Sequence, residues 1–145
     1  MKEVEKEIKK VETRTVYVAE DGTEFNNKWK CQKYEEEVWF EEAQAAIEKY
    51  HIADLDNQTP ISDSGDTCDT NDYLWYRVLD ADAETEIRKC YREAMSDISI
   101  KSYPEIIAIE DPGIDASYAF TLSDMKELTK NFFNVLGIKT TFEEK

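Results

Sequence analysis

The chain has 145 residues, with 33 Asp and Glu against 18 Lys and Arg, so its formal net charge is −15 at pH 7. Because a surface of this charge repels phosphates, the composition argues against direct binding of DNA or RNA and favours a basic protein surface as a partner. An aromatic share of 12% and a hydrophobic share of 41% exclude a disordered acidic tail and predict one folded domain with a strongly negative surface.

Residues 1–25 are predicted to form a charged N-terminal end followed by a hairpin. Residues 1–10 alternate Lys and Glu, which is typical of a short helix or a frayed end. Residues 11–19 are rich in Thr, Val and Tyr and predict a strand. Asp21-Gly22 then forms a turn in which the glycine is free to take a positive φ, and residues 23–25 predict a short returning strand.

A long helix is predicted from about Lys28, capped by Asn26 or Asn27. Its apolar side chains fall into two stripes that we expect to face the core: Trp29, Cys31, Tyr34 and Val38, and then Trp39, Ala43, Ala46, Ile47 and Tyr50. Because the apolar face changes near Val38 and Trp39, the pattern predicts a bend or two helices in series.

Residues 51–72 form the longest stretch without periodicity. Six aspartates lie in this stretch, namely Asp54, Asp56, Asp63, Asp66, Asp69 and Asp72. A connection of this length in a compact domain is usually functional or mobile, so we interpret residues 51–72 as a long acidic loop.

The second half of the chain predicts strands that alternate with helices. Apart from Arg77, residues 73–79 are apolar on both faces. This pattern favours a strand in the centre of a sheet. A helix capped by Asp82 is predicted next, with Cys90 on its buried face. Residues 105–109 and 118–120 predict two further strands.

A final helix is predicted after residue 120, capped by Thr121 or Ser123 and ended by Gly137. The stripe predicted to be buried on this helix consists of Met125, Leu128, Phe132, Val135 and Leu136.

This order of elements predicts an α+β fold, in which three or four helices pack against a small, mainly antiparallel sheet. We expect a single domain over residues 1–145. As an alternative, residues 73–109 form one right-handed βαβ unit, which would make part of the sheet parallel.

The sequence gives little indication of a metal site or a catalytic site. Cys31, His51, Cys68 and Cys90 would complete a zinc ligand set, but none of them is paired at the short spacing of zinc motifs. Residues 63–72 are rich in aspartate, but Gly65 does not stand at the position that an EF-hand loop requires. The segment is therefore either a solvated loop or a weak cation-binding site. No nucleophile lies beside a recognisable base, so we expect no cofactor, no metal and no enzymatic activity.

Acidic clusters at residues 35–42, 63–72 and 80–86 are the features that remain to be explained. They are either ordinary solvated faces or contacts for a basic surface, where carboxylates would accelerate association and set specificity. On a surface that normally holds nucleic acid, such carboxylates would compete with phosphates.

The N-terminal segment resembles the opening of many small bacteriophage and prophage proteins. The resemblance lies in Tyr17-Val18-Ala19-Glu20-Asp21-Gly22-Thr23-Glu24-Phe25, followed by Cys31 and Tyr34-Glu35. In its size and charge the chain is also similar to anti-CRISPR proteins, several of which act as nucleic-acid mimics. The resemblance implies a phage origin, a location in the host cytoplasm and a role in countering host defence.

We therefore expect a non-enzymatic cytoplasmic inhibitor that binds a basic, nucleic-acid-handling host protein such as a CRISPR effector. The residues predicted to contact this partner are Glu36, Glu37, Glu41, Glu42, Asp66, Asp69 and Asp72. As an alternative of another class, the protein binds a small anionic molecule, for example a nucleotide defence signal. The cations predicted for this second role are Arg77, Arg88, Arg92 and Lys101.

Overall fold

The computed structural model describes residues 1–5, 11–56, 58–60 and 72–145. Within these residues there are three α-helices, two single-turn 3₁₀ helices and two antiparallel sheets of two and three strands, so the predicted α+β class is confirmed. The chain divides into two compact units, residues 1–38 and residues 39–145.

The first unit contains a minimal hairpin. Strand β1 (Tyr17–Val18) pairs antiparallel with β2 (Glu24–Phe25), and the turn between them holds Gly22 at a φ of +90°. Asp21 supports the turn because its carboxylate accepts the Thr23 N–H at 2.9 Å. The predicted strand over residues 11–19 is therefore reduced to two residues, since the short β2 offers no longer ladder to pair with.

Helix α1 (Lys28–Ile47) follows, and it is continuous. The Asn27 side chain accepts the backbone N–H of Trp29 at 2.8 Å, which satisfies one of the unpaired donors of the first turn and identifies Asn27 as the cap. The prediction of two helices in series is wrong. The two apolar stripes arise because residues 28–38 belong to the first unit and residues 39–47 to the second.

The two tryptophans of α1 do not lie in a core as the stripes predicted. Trp29 is 63% exposed and Trp39 is 42% exposed, whereas Cys31, Ala43 and Ile47 are buried. The buried members of the stripes are thus their smaller residues, and the tryptophan of each stripe is exposed.

The sheet of the second unit has the strand order β3-β4-β5. Strands β3 (Tyr73–Val78), β4 (Glu105–Glu110) and β5 (Tyr118–Thr121) are all antiparallel to their neighbours. Strand β4 is therefore central and β3 lies at an edge. The predicted central position of residues 73–79 and the alternative of a parallel βαβ unit are both wrong.

Strand β3 is apolar on both faces because both faces of the sheet are covered. Tyr76 and Val78 point into the larger core, which includes the C-terminal part of α1 and helix α2 (Ala81–Cys90). Tyr73 and Trp75 point into a smaller core on the other face, together with Met125 of the last helix. A continuous apolar run indicates that both faces of the strand are covered. It does not indicate whether the strand pairs with one neighbouring strand or with two.

The outer edge of β3 is partly closed by the segment that follows α1. The Ile52 N–H donates to the Trp75 carbonyl at 2.8 Å, and His51 forms a β-bridge with Tyr76. The 3₁₀ helices Glu48–Tyr50 and Ala53–Leu55 flank this contact. The predicted acidic loop therefore begins with ordered residues, and residues 57 and 61–71 lie outside the described part of the chain.

The caps of the last two helices are defined by side-chain contacts. Asp80, and not the predicted Asp82, caps α2 by accepting the Ala83 N–H at 2.8 Å. Thr121 caps α3 (Leu122–Val135) as predicted, and Gly137 follows its end at a φ of +74°. Glu105 of β4 accepts the Ser123 hydroxyl at 2.5 Å, which ties the first turn of α3 to the central strand.

Helix α3 buries much less of its apolar stripe than predicted. Met125 is 3% exposed, but Leu128, Phe132, Val135 and Leu136 are 50–87% exposed. The prediction that these four residues are buried is wrong. The residues of α3 that are buried or half-buried are Leu122, Met125, Lys126, Thr129 and Phe133.

Candidate functional site

The second unit contains a shallow groove between α1 and α2. It has a volume of about 170 Å³ and is lined by Trp39, Glu42, Ala43, Ala46, Glu86 and Lys89. The four residues from α1 follow the spacing i, i+3, i+4, i+7, which places them on one side of a helix. The two alanines leave room above the helix backbone, so this spacing creates a groove beside the exposed Trp39 ring.

Glu42 is the unpaired carboxylate of this groove. It is exposed, and it has no ion pair or hydrogen bond to any other described residue. A carboxylate beside an exposed indole ring suits a cationic side chain, since the ring face attracts the cation and the carboxylate pairs with it.

The α2 side of the groove carries a net positive charge, because two lysines stand against one carboxylate. The Lys49 ammonium lies 3.3 Å and 3.4 Å from the two carboxylate oxygens of Glu86. The hydrogen bond to Glu86 raises the pKa of Lys49 and neutralises that carboxylate. Lys89 adds a second positive charge to the wall. The negative charge that a ligand would meet in the groove therefore comes from Glu42.

Glu42 is the predicted contact residue that the structure places in the groove. Glu41 is exposed and lies about 100° around α1 from Glu42, so it faces a different direction. Glu36 and Glu37 are exposed and belong to the first unit. Asp66 and Asp69 lie outside the described residues. Glu36, Glu37 and Glu41 do not line the groove.

Asp72 lies at one end of the sheet, beside Asp111. The Asp111 N–H donates to the Asp72 carbonyl at 2.8 Å, and the Asp72 N–H donates to the Asp111 carboxylate at 3.3 Å. Asp111 adopts a φ of +45°, which an aspartate tolerates better than most residues. The two aspartates therefore close the β3–β4 end of the sheet, and the Asp72 side chain is exposed there.

The acidic cluster of residues 80–86 is largely occupied by contacts within the chain. Asp80 caps α2, Glu84 accepts hydrogen bonds from Arg88 and Tyr103, and Glu86 pairs with Lys49. The Tyr103 and Arg88 hydrogen bonds hold the pKa of Glu84 below its ordinary value, although burial opposes them. Asp82 is the carboxylate of this cluster that has no contact with other described residues.

A second, cation-bearing cavity lies next to the start of the acidic loop. Its volume is about 310 Å³, and it is lined by Lys49, Tyr50, His51, Ile52, Ala53, Asp54, Arg77 and Leu79. Arg77 is exposed and has no partner among the described residues. Of the four cations predicted to bind an anionic ligand, Arg77 lines this cavity, whereas Arg92 and Lys101 do not.

Arg88, the remaining cation of that set, is already bound within the protein. Its guanidinium donates to Glu84 at 2.8 Å and to the carbonyls of Met95 and Ile98 at 2.6 Å each. These contacts tie α2 to the segment that follows it. Arg88 therefore has a structural role that leaves no donor pair for a ligand.

His51 is clamped between two carboxylates. Its Nδ1 lies 3.0 Å from Glu48 and its Nε2 lies 2.7 Å from Asp56. Burial alone would lower the pKa of His51, but the hydrogen bonds to Asp56 and Glu48 outweigh it and raise the pKa. With both ring nitrogens occupied, His51 has no free nitrogen with which to act as a general base.

The potential zinc ligands are not brought together in the described part of the chain. No group of three or more His, Cys, Asp or Glu side chains in the described residues could hold a metal ion. Cys31 and Cys90 are free and buried, and Cys68 lies outside the described residues. Burial raises the pKa of the Cys90 thiol to about 11, so this residue is a poor metal ligand as well as a poor nucleophile.

Comparisons with known families, with curated proteins and with solved structures find no match to this chain. Among the described residues, no helix combines the length and the apolar character needed to cross a bilayer.

Trp39 is the functional candidate that the sequence pattern did not identify. Its position in an apolar stripe predicts a core residue. The small side chains of Ala43 and Ala46, at i+4 and i+7, instead indicate that the ring is left uncovered. Small residues on the same side of a helix as a large aromatic leave that aromatic without a covering neighbour.

Proposed function

We propose that the protein is a non-enzymatic acidic inhibitor, which occupies the nucleic-acid-binding surface of a basic host protein. The observation that carries this proposal is Glu42, an unpaired carboxylate beside an exposed tryptophan in a groove of a chain whose net charge is −15. Glu36, Glu37, Glu41 and Asp72 are exposed, and their carboxylates would add to the negative surface.

The groove would hold a basic side chain of the partner. A partner Arg stacked on Trp39 could donate to the Glu42 carboxylate at the same time, and such aromatic and charged contacts dominate many interfaces. The remaining carboxylates would act at longer range. They would accelerate encounter with the basic partner and fix its orientation, which contributes more to association rate and specificity than to affinity.

Inhibition would follow from competition. A host surface that binds phosphates presents Lys and Arg side chains, and carboxylates on a folded protein can pair with the same cations. Bound inhibitor and bound nucleic acid would then exclude each other. In line with the resemblance of the N-terminal segment to phage proteins, a CRISPR effector is the kind of partner we propose.

The proposal is tested by capture from a bacterial lysate at low and at high salt, with the full chain as bait. We expect basic nucleic-acid-binding proteins to be retained at low salt and released at high salt, because screening weakens contacts between exposed charges. Added duplex DNA should displace the same proteins. Capture that salt and DNA leave unchanged would contradict the proposal.

A charge-matched pair of variants separates the groove from total charge. Trp39→Ala/Glu42→Gln should weaken capture by at least about tenfold, since it removes both the ring and the carboxylate of the groove. Ile114→Ala/Asp115→Asn is the control, since it removes one exposed apolar side chain and one exposed carboxylate away from the groove. If the two variants lose the same amount of binding, the groove is not the contact site.

The cation-bearing cavity supports a second candidate function, the binding of a small anion such as a nucleotide. Its volume of about 310 Å³ fits a small ligand, and Arg77 has no described partner. Calorimetric titration with nucleoside mono-, di- and cyclic phosphates tests this function, with Arg77→Gln as the variant. Heat of binding that disappears in Arg77→Gln supports it, and the absence of binding to every nucleotide contradicts it.

A further inference from the structure

Residues 48–56 form a strap along the outer edge of β3. The Ile52 N–H donates to the Trp75 carbonyl at 2.8 Å, and the side chains of Ile52 and Leu55 are half-buried against the smaller core. A short, partly exposed segment at a sheet edge opens at a lower free-energy cost than a core strand does. We therefore expect the strap to open locally while the sheet stays folded.

His51 ties the two ends of the strap to each other. Its Nδ1 lies 3.0 Å from a carboxylate oxygen of Glu48, the first residue of the strap, and its Nε2 lies 2.7 Å from one of Asp56, the last residue. The imidazole is 13% exposed, and its centre lies 5.9 Å from that of the Tyr76 ring in β3. Both ends of the strap are thus joined beside the strand through one side chain.

The hydrogen bonds of this clamp require a protonated ring. An ionised carboxylate is an acceptor only, so each ring nitrogen has to donate, and two N–H groups are present only in the imidazolium form. A neutral imidazole carries one N–H and turns a lone pair toward the other carboxylate. Loss of the proton therefore removes one of the two hydrogen bonds and puts a repulsive contact in its place.

We propose that residues 48–56 are a pH-operated strap, which protonated His51 holds on the edge of β3 and which loss of that proton releases. Six of the eight residues that line the 310 Å³ cavity belong to the strap. Release would therefore open the cavity wall and uncover the Trp75 carbonyl at the strand edge. The switch acts on the cavity whatever ligand the cavity binds.

The other charged or ionisable groups around His51 in the described part of the chain keep their charge near neutral pH. They are three carboxylates, two cations and one phenol, namely Glu48, Asp54, Asp56, Lys49, Arg77 and Tyr76. Carboxylates stay ionised and a guanidinium stays protonated in this range. The hydrogen bond to Glu86 raises the pKa of Lys49, and burial raises the pKa of Tyr76, so the first stays charged and the second neutral. His51 is the group that remains to change charge.

The direction of the pH response follows from the same contacts. Burial lowers the pKa of His51, but the hydrogen bonds to Asp56 and Glu48 outweigh burial and raise the pKa above the ordinary 6.5. The clamp is therefore complete below pH 6.5 and is lost as the pH rises through the raised value. Because one proton is released, the opening constant of the strap should rise by at most about tenfold per pH unit.

Amide hydrogen exchange of Ile52 between about pH 6 and pH 9, corrected for the intrinsic exchange rate, tests the strap. We expect its protection factor to fall across this range and to respond little to low urea, because local opening exposes little surface. Ala108, buried in the central strand, is the reference. It should be more strongly protected, and urea should lower its protection. An Ile52 protection factor that pH leaves constant, or that matches Ala108 in size and urea response, would overturn the proposal.

A charge-matched pair of variants tests the clamp itself. Asp56→Asn replaces an acceptor with an amide that also donates, so a neutral ring keeps both contacts and the pH dependence of Ile52 protection should shrink. Asp54→Asn removes the same charge from an exposed position of the strap and should keep the wild-type dependence. Equal shrinkage in both variants, or none in Asp56→Asn, would show that the clamp does not hold the strap. Circular dichroism checks that both variants keep the fold.

Discussion

The hydroxyl groups of Tyr76 and Tyr91 lie 3.3 Å apart in the core of residues 39–145. Both side chains are at most 2% exposed, and the Gln44 amide donates to Tyr91 at 3.1 Å. Strand β3, the end of α2 and helix α1 are thereby joined through one buried polar contact. Burial raises the pKa of Tyr76 far above the ordinary value of a tyrosine, so the hydroxyl stays uncharged.

Tyr91→Phe should therefore destabilise the protein more than Tyr76→Phe. Loss of the Tyr91 hydroxyl leaves Tyr76 with no partner and removes the acceptor of Gln44, at a cost of about 1–3 kcal/mol. Urea unfolding of the two single variants and the double variant measures this. The double variant should lose less than the sum of the single losses, and strict additivity would show that the hydroxyls do not interact.

Arg88 is predicted to be required for stability in a way that Lys cannot replace. Its planar guanidinium reaches Glu84 and the carbonyls of Met95 and Ile98 at once, whereas a Lys ammonium cannot span all three. Arg88→Lys should reduce the free energy of unfolding by about 1–3 kcal/mol. Arg92→Lys, at an exposed position, is the control and should change stability by less than about 0.5 kcal/mol. Similar losses in both variants would contradict the role of Arg88.

Local chemistry in the sequence predicted the fold class and several helix ends. Asn27, Thr121 and Gly137 are short-range signals, because a cap or a positive φ depends on a few neighbouring residues. Local sequence does not decide between two aspartates that are separated by one residue. Asp80 and Asp82 are equally good caps in composition, and the end of β3 decides between them.

Long-range packing is what the sequence could not predict. The apolar run of β3 indicated two covered faces, but its edge position depends on which strand β5 pairs with, and β5 pairs with β4. The same limit applies to Trp39 and to the stripe of α3. Periodicity shows that a helix has an apolar side, and it does not show whether the rest of the chain reaches that side to bury it.

The candidate site was predicted in part. Charge alone predicts Glu42 as a contact residue, but its neighbour Trp39 and the groove between α1 and α2 depend on helix packing. Charge alone also predicts Arg88 as a ligand for anions, but its contacts with two backbone carbonyls make it a structural residue. A charge count treats free and paired side chains alike, so it overestimated the acidic cluster at residues 80–86.

Cys31 and Cys90 are predicted to be unreactive in the folded protein. Burial raises the pKa of both thiols, and for Cys31 the charges of Glu35 and Asp21 raise it further. In Cys68→Ser, Ellman's reagent at neutral pH should label these two thiols slowly in buffer and rapidly in urea, because the thiolate is the reactive form. Rapid labelling in buffer would contradict the burial of at least one of them.

His51 should make stability depend on pH near neutrality. It is the single histidine of the chain, and its side chain is 13% exposed between Glu48 and Asp56 with the Tyr76 ring beside it. Because folding raises its pKa above the ordinary 6.5, its stabilising contribution is complete below pH 6.5 and is lost as the pH rises through the raised value. Urea unfolding between about pH 6 and pH 9, where the carboxylates stay ionised, should show falling stability for the wild type and a flatter profile for His51→Gln. Parallel profiles for the two proteins would show that the clamp of carboxylates does not stabilise the protonated ring.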